Sequence, residues 1–308
     1  MPNAVFGEVF VTKTSDRNAG IRTLLSRFEL GGFSGTSVAL KANFNSADPF
    51  PASTHIETLS TLIKILKEAN TKEIILAERS GMGETRKVLE KMGVFELSRR
   101  LGFKVMVLDE NEKEDWVKLG GKGTHWKHGF YIARVFLEAD KVIQTCCLKT
   151  HRFGGHFTLS LKNSVGLVAN ELPNGTYSYM NELHTSPFQR QMIAEINSFY
   201  HADLVLMDAI RAFIDGGPDK GIEVEPDLLF ASKDRVALDA VGIAVLRSYG
   251  RSEPAVMKGK IFELDQIQRA ALLGMGVKSA SEIKLTPLDQ ALETTLLELG
   301  KWGSQYNY

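Results

Sequence analysis

The chain has 308 residues, in which 37 Lys and Arg residues balance 37 Asp and Glu residues. Hydrophobic residues make up 44% of the sequence and charged residues 24%, which is typical of a globular protein and not of a disordered one. The zero formal net charge argues against a general nucleic-acid binder. No apolar run approaches the ~18 residues that span a bilayer, and no signal peptide is recognisable. We therefore expect a cytoplasmic protein that does not bind membranes.

Short apolar strands alternate with amphipathic helices from about residue 38 to residue 250. In chain order the pattern predicts a strand at 37–41, a helix at about 54–66, a strand at 72–77, helices at 85–92 and 94–101, a strand at 104–108, a helix at 130–137, a strand at 141–145, helices at 161–168 and 188–200, strands at 203–207 and 227–231, and helices at 234–249 and 261–273. The strands lack polar alternation, as expected when both faces of a parallel sheet are buried. Segment 170–186 has no clear period and is predicted to be a lid or a long surface loop.

This pattern predicts an α/β fold with a doubly wound, mainly parallel sheet, helices on both faces and helical C-terminal additions. We divide the chain into an N-terminal extension packed on the main domain (1–37), an α/β domain (38–250) and a C-terminal helical segment (251–308).

In such a sheet, ligands bind beyond the carboxyl ends of the strands. Lys41 and Asn43 follow the first predicted strand, and the densest polar stretch, residues 149–163, follows the fourth. Glycines in that stretch let the backbone approach a ligand, and a helix start near Thr158 would present free N–H groups to an anion. The predicted anion-binding residues are Lys41, Asn43, Lys149, Arg152, Gly154, Gly155, Lys162 and Asn163.

Two histidines of this stretch, His151 and His156, are candidate catalytic groups, because an imidazole near neutral pKa transfers protons at physiological pH. The alternative is a structural basic loop, whose cations pair with acidic neighbours and bind no ligand. A small anionic ligand is the partner that we favour, because so many cations at one place need a counter-anion.

The sequence contains no established metal-binding motif. Glu78, Asp208 and Asp215 are weak candidates that could bind a divalent cation through oxygen, or equally pair with nearby Arg and Lys residues. The pair His125 and His128 resembles a metal motif but is surrounded by aromatic residues. The adjacent Cys146 and Cys147 are expected to be reduced, unbridged and inert, because linking neighbours gives a strained ring.

Five stretches of the sequence resemble the bacterial and archaeal family known as domain of unknown function 362. They are KANFNSADPFPAST (41–54), ERSGMGETRKVLEKMGV (78–94), QTCCLKTHRFGGHFTLSLKNSVGLVA (144–169), SPFQRQMIAEIN (186–197) and DRVALDAVG (234–242). The family name carries no reaction. Some members have ferredoxin-type cysteine motifs, which this sequence lacks.

A more distant similarity is to the N-terminal domain of nickel-pincer-dependent lactate racemases. That resemblance implies that Lys162 tethers a cofactor, that Gly154 and Gly155 form the accompanying turn, and that His151, with His156 as a further candidate, exchanges a proton.

The sequence thus favours an enzyme that acts on a small anionic metabolite, with acid/base or redox chemistry at a hydroxy acid. The alternative is a non-catalytic module that binds a metabolite or docks a redox partner; a metal-dependent hydrolase built on the three carboxylates is a third reading. The residues leave the cofactor, the substrate and the oligomeric state open.

Overall fold

A computed structural model of the chain describes residues 7–289, and within them lie twelve strands and eleven α-helices. The strands are β1 (Gly7–Lys13), β2 (Ser37–Lys41), β3 (Glu73–Glu78), β4 (Lys104–Val107), β5 (Trp116–Leu119), β6 (Phe130–Ala133), β7 (Lys141–His151), β8 (His156–Thr158), β9 (Leu204–Gly216), β10 (Gly221–Val224), β11 (Leu228–Ser232) and β12 (Ile283–Pro287). The helices are α1 (Arg17–Leu25), α2 (Ile56–Glu68), α3 (Thr85–Lys91), α4 (Val94–Leu101), α5 (Val135–Glu138), α6 (Ser160–Asn163), α7 (Tyr179–Thr185), α8 (Gln189–Ile196), α9 (Arg235–Ser248), α10 (Pro254–Met257) and α11 (Asp265–Leu272).

One large sheet organises the molecule, with strand order β12-β1-β11-β9-β7-β2-β3-β4. Neighbours pair in parallel from β9 to β4 and between β12 and β1, whereas β11 is antiparallel to both β1 and β9. Strands β8 and β10 extend the sheet beside β7 and β9, and β5 and β6 form a separate hairpin sheet. The predicted α/β fold with a mainly parallel sheet is confirmed, although its last predicted strand, at 227–231, runs antiparallel.

Helices cover both faces of this sheet, as the uninterrupted apolar strands predict. Successive residues of β2 point to opposite sides: Val38 and Leu40 pack with α1, α2 and α4, while Ala39 packs with the apolar cluster around α8 and α9. Fully buried side chains on both faces explain why the strands show no polar alternation. No helix between residues 7 and 289 is long and apolar enough to cross a membrane.

The chain reverses its direction across the sheet between β2 and β7. From β2 it proceeds to β3 and β4 on one side, and from β7 to β9 on the other. Loops that leave adjacent strands in opposite directions open a crevice at the carboxyl edge, where ligands bind in folds of this class.

Strand β7 is longer than the sequence predicts, ending at His151 and not at 145. Lys41, the last residue of β2, pairs with Gln144, so residues 145–151 project beyond the carboxyl edge of the parallel sheet. The projecting half pairs with β8 and with the equally long β9. The wrong strand end came from interpreting Lys149, Thr150 and His151 as loop residues, whereas all three are buried in the strand.

The helix predicted at 130–137 is wrong, whereas the one predicted at 161–168 is present as two short helical segments. Residues 130–137 form β6 and the single turn α5, because Phe130 and Ile132 point inward from a hairpin with β5. Residues 161–168 contain the end of the short helix α6 and a 3-10 turn at Ser164–Leu167. Conversely, the segment predicted as a lid or loop at 170–186 contains helix α7.

Segments on both sides of the predicted central domain contribute strands to the large sheet. β1 lies within the first 37 residues and β12 lies beyond residue 250, and the two strands pair with each other. The domain boundaries at 37 and 250 stay predictions. The predicted helical segment at 251–308 contains α10, α11 and β12 in its described part, and its remainder, 290–308, lies outside the described residues.

The two cysteines lie on β7 as free, fully buried thiols. Burial raises the pKa of Cys147 to about 11 and that of Cys146 well above its ordinary value. Because the thiolate is the reactive form, we expect no reaction with a disulfide reagent at pH 8 in the native protein, and two equivalents after unfolding without reductant. Thiol titration checks this; fewer than two equivalents from the unfolded chain would show a bridge.

Candidate functional site

A cavity of about 790 Å³ lies at the crevice between β2 and β7. Its floor is formed where β2 and β3 end, and its sides include the projecting half of β7, α6 and residues of α7 from Met180 to His184. The turn at 81–84 forms an exposed part of its rim. The cavity therefore occupies the position that the topology favours for ligand binding.

Lys41 and Glu78 form a buried ion pair at the floor, because they end the neighbouring parallel strands β2 and β3. The Lys41 ammonium also donates to the Ala42 carbonyl at 2.6 Å, and Glu78 accepts the Phe44 backbone N–H at 3.3 Å. Burial raises the pKa of Glu78 and lowers that of Lys41, and each partner's charge opposes the shift of the other. The pair is neutral as a unit and contributes little net charge to the cavity.

Lys149 is a fully buried cation of the β7 wall with no carboxylate against it. Its ammonium donates to the Asn43 side-chain oxygen at 2.8 Å and to the carbonyls of Pro51 and Ala52. These oxygens satisfy its three N–H donors but leave its charge uncompensated. Burial lowers its pKa. Lys149 thus raises the electrostatic potential of the cavity without offering a free hydrogen bond.

Arg79 contributes positive charge in the same way. Its guanidinium donates to the carbonyls of Val168 at 2.8 Å, Val165 at 3.1 Å and Ser80 at 3.2 Å. It is 6% exposed, so its charge is held in a medium of low polarity.

Lys162 differs from these cations, because its amine has no hydrogen bond or ion pair with any residue between 7 and 289. The side chain is 9% exposed and borders the cavity. Burial, followed by the charges of Lys149 and Arg79, lowers the pKa of Lys162 to about 8. It is the cation with free donors in the described wall of the cavity.

The position of Lys162 depends on two neighbours. The buried carboxylate of Asp239, on α9, accepts the backbone N–H groups of Ser160 at 2.8 Å and Leu161 at 3.0 Å, and so anchors α6. Gly155 lies against the lysine stem: a Cβ on this glycine would lie 2.5 Å from Lys162 Cε. The expected free N–H groups at this helix start are therefore already bound by Asp239, and they are not an anion site.

Two imidazoles lie close to the Lys162 amine. His151 is buried, and no residue of the described chain hydrogen-bonds its Nδ1. Burial and then the charge of Lys162 lower its pKa well below the ordinary value. His184, at the mouth, has Nδ1 2.7 Å from the Met180 carbonyl, which assigns the proton to Nδ1 and leaves Nε2 as an acceptor. Partial burial and then Lys162 lower its pKa as well.

The structure brings six of the predicted site residues to the cavity: Lys41, Asn43, Lys149, His151, Lys162 and Asn163. Gly155 lies behind Lys162. Arg152, His156 and Gly154 do not line the cavity. Arg152 lies on the outer side, where it pairs with Asp219 at 2.8 Å and lies over the Phe153 ring. Arg152 lies in the turn that follows β7, where the Gly217 carbonyl accepts from its guanidinium at 2.7 Å and helps to hold it away from the cavity.

The candidate metal ligands lie in separate places. Asp208 accepts hydrogen bonds from Arg17 at 2.9 Å and Thr58 at 2.6 Å, and Asp215 accepts its neighbouring Gly216 N–H. Glu78 is paired with Lys41 as described. His125 Nδ1 lies 2.6 Å from the buried Glu195 carboxylate. Within residues 7–289, no three His, Cys, Asp or Glu side chains form a group able to hold a metal ion.

Sequence reasoning missed two features of the cavity. His184 lies in the segment that showed no period, and no motif around it indicates a site. Gly166 lies against the Lys41 side chain: a Cβ added to Gly166 would lie 2.6 Å from Lys41 Cε and 2.9 Å from Lys41 Nζ. A glycine two positions beyond Ser164, within an otherwise bulky apolar stretch, is the signal that could have indicated this close approach.

The chain was compared with known proteins. The lactate racemase apoprotein from Thermoanaerobacterium thermosaccharolyticum has a similar structure with a TM-score of 0.46 and 15% identity, over 79% of this chain and 57% of that one. The chain thus spans little more than half the length of that protein. No curated protein matches its sequence significantly. The family described as Domain of unknown function (DUF362) matches residues 38–244, more than half of the sequence, and the chain therefore belongs to that family.

Proposed function

We propose that this protein is an enzyme that binds a small anionic metabolite, a hydroxy acid or its oxo form, in the cavity and transfers a proton on it. The observation that carries the proposal is the free amine of Lys162 beside the imidazoles of His151 and His184. The cations lie in a concave site and not on a flat surface, which supports an enzyme over a docking module.

The charge balance of the inner wall favours an anion. Four buried cations, Lys41, Arg79, Lys149 and Lys162, lie around a single buried carboxylate of the lining, Glu78; the other acidic lining residues, Glu84 and Asp109, are exposed at the rim. A carboxylate that accepts from Lys162 would make a charge-assisted hydrogen bond, worth roughly 1.5–3 kcal/mol.

The two imidazoles supply acid/base groups. Because burial and Lys162 lower both pKa values below the ordinary range, His151 and His184 are neutral at pH 7 and able to accept a proton. His184 would accept at Nε2, since its Nδ1 proton is held by Met180. His151 is the buried base and His184 the base at the mouth, so a bound metabolite would have one on its inner side and one toward solvent.

The resemblance to nickel-pincer-dependent racemases implies a cofactor tethered at Lys162. This residue fits a tether, because its amine has no partner in the described chain and borders the cavity; the roles of a free amine that we propose for Lys162 apply to the protein without such a cofactor. When bound, such a cofactor would supply a hydride acceptor. The residues of this chain would bind the anion, orient it and move protons at its hydroxyl group and at its carbon atoms.

Replacing Lys162 with Met should weaken the binding of lactate, glycerate or pyruvate about tenfold or more, a loss of ~1.4 kcal/mol, because it removes the free donor of the cavity wall. Titration calorimetry measures this. Arg152→Ala is the matched control, because Arg152 is paired with Asp219 outside the cavity. The affinity of this variant for the same anions should equal that of the wild type. Because an amine with a pKa of about 8 loses its charge above that pH, wild-type affinity should fall between pH 7 and pH 9. Equal losses in both variants would contradict the assignment.

A Cβ at Gly155 should displace the Lys162 side chain, because the added atom would lie 2.5 Å from Lys162 Cε and 3.1 Å from His151 Nδ1. We expect Gly155→Ala to reduce anion affinity severalfold while its melting temperature stays within a few degrees of the wild type, since flexible side-chain atoms can move aside. Gly31→Ala, at a glycine with open space around it, is the control. Unchanged affinity in Gly155→Ala would argue against Lys162 as the anion partner.

The proposed proton transfer is tested by proton NMR in D₂O with pyruvate and with D- and L-lactate as probes. We expect the wild type to exchange carbon-bound hydrogen of at least one probe for deuterium. His151→Asn should slow this exchange a hundredfold or more, in line with the ordinary contribution of a general base, while leaving anion binding in place. Binding without exchange of any probe would favour the non-catalytic module.

A further inference from the structure

We propose that Lys162 is a nucleophile that forms an imine with the carbonyl carbon of a 2-oxo acid bound in the cavity. The inference rests on the proposed function and names the substrate class and the covalent step for the same site. Lys162 differs from the other cations of the cavity in having an amine without a hydrogen-bond partner in the described chain.

The donors of those other cations are occupied by protein oxygens. Lys149 binds three oxygens, Arg79 binds three carbonyls, and Lys41 is paired with Glu78. Their nitrogens are held in fixed positions and have no freedom to attack a substrate. Lys162 alone among these four has an amine without a partner in the described chain, and its stem passes over Gly155, where the absence of a Cβ leaves room for it.

A nucleophilic amine must lose its proton at working pH. A desolvated lysine beside other cations does so, because burial and like charges both disfavour the ammonium form. Burial together with Lys149 and Arg79 provides both effects and lowers the pKa of Lys162 to about 8. About a tenth of the protein therefore holds the neutral amine at pH 7, compared with less than a thousandth for a surface lysine.

The 2-oxo acid is the class that matches both features of the wall. Its carboxylate is attracted by the uncompensated charges of Lys149 and Arg79, and its adjacent carbonyl carbon is the electrophile that an amine attacks. A simple hydroxy acid satisfies the charge but gives the amine no electrophile. We therefore assign the covalent step to the oxo form.

The step is balanced with no reactant beyond a proton from solvent. The neutral nitrogen forms a bond to the carbonyl carbon, the carbonyl electron pair moves to oxygen, and that oxygen gains the proton that nitrogen loses. The nitrogen lone pair of the resulting carbinolamine then forms the C=N bond as the C–O bond breaks, and the departing hydroxyl group takes up one proton from solvent and leaves as water, so that the imine keeps its nitrogen-bound hydrogen and is protonated. His151 lies beside the Lys162 side chain, since a Cβ added to Gly155 would lie 3.1 Å from His151 Nδ1 and 2.5 Å from Lys162 Cε. In this position His151 relays the protons of both steps.

The imine links covalent chemistry to proton transfer. A protonated C=N group withdraws electrons from the carbon next to it and makes its C–H bond acidic. His151 or His184 then takes that proton and forms an enamine, which regains a proton from the same side or from the mouth. This series of steps explains why His151 and His184, two bases with lowered pKa values, lie beside Lys162.

The test is reductive trapping of the full-length protein with pyruvate and cyanoborohydride at pH 7, read by intact mass and peptide mapping. We expect one adduct per chain, whose mass is that of pyruvate less one water plus two hydrogens, located on Lys162 and saturable with pyruvate. Lys149 is the control within the same cavity, because it is fully buried and its donors are occupied; it should stay unmodified. Lys162→Arg, which keeps the charge but has no nucleophilic amine, should still bind pyruvate and lose the adduct.

The outcomes separate this inference from the proposed function. If calorimetry shows pyruvate binding but no adduct forms on Lys162, or lysines are modified indiscriminately, the covalent step is wrong and the anion site stands. A different covalent group found on Lys162 before any oxo acid is added also overturns the step. If neither pyruvate nor lactate binds, the proposed function itself is contradicted.

Discussion

Positive charge buried without a carboxylate partner is the constraint around which the cavity is built. Lys149 is fully enclosed, and the protein surrounds its ammonium with neutral oxygens, which satisfy hydrogen bonds but do not cancel charge. Removing an ion from water is costly, and at low polarity its field extends over many ångströms. That field acts on titratable groups of the cavity and contributes to the lowered pKa values of Lys162 and His151. The lowered pKa values of Lys162 and His151 thus come first from burial, to which the charge of Lys149 adds.

Two strands, β7 and β9, extend beyond the edge of the parallel sheet and make this arrangement possible. In an ordinary doubly wound fold, functional residues lie on loops after the strands. Here β7 and β9 continue together past the edge of β2 and place Lys149 and His151 on a paired, rigid wall. A side chain on such a wall is positioned by ladder hydrogen bonds and by burial on both faces. That rigidity allows a lysine to be held where charge is unfavourable.

The sequence predicted the parallel part of the fold well, because fully buried strands and amphipathic helices leave strong local patterns, as in β2, β3 and α9. It failed where structure depends on distant partners. β1 and β12 pair with each other from opposite ends of the chain, which no local pattern reveals. For the site, the density of cations near 149–163 pointed to a stretch from which Lys149, His151 and Lys162 line the cavity, but it did not separate them from Arg152, which does not. The difference arises because Lys149 and His151 lie on β7 and Lys162 on α6, whereas Arg152 lies in the turn after β7 and pairs with Asp219; a sequence pattern that ends the strand at 145 cannot separate these positions.

Asp239 anchors the helix that carries Lys162, yet it lies on α9, well after the last lining residue, Pro218. A fragment that ends after β10 would contain every residue that lines the cavity and still lack the group that holds α6 in place. Two buried N–H groups would then lose their acceptor, at a cost of roughly 1–3 kcal/mol each. The length of chain that this cavity needs is therefore set by an anchor as well as by the lining, and it extends at least into α9, within which the family match also ends.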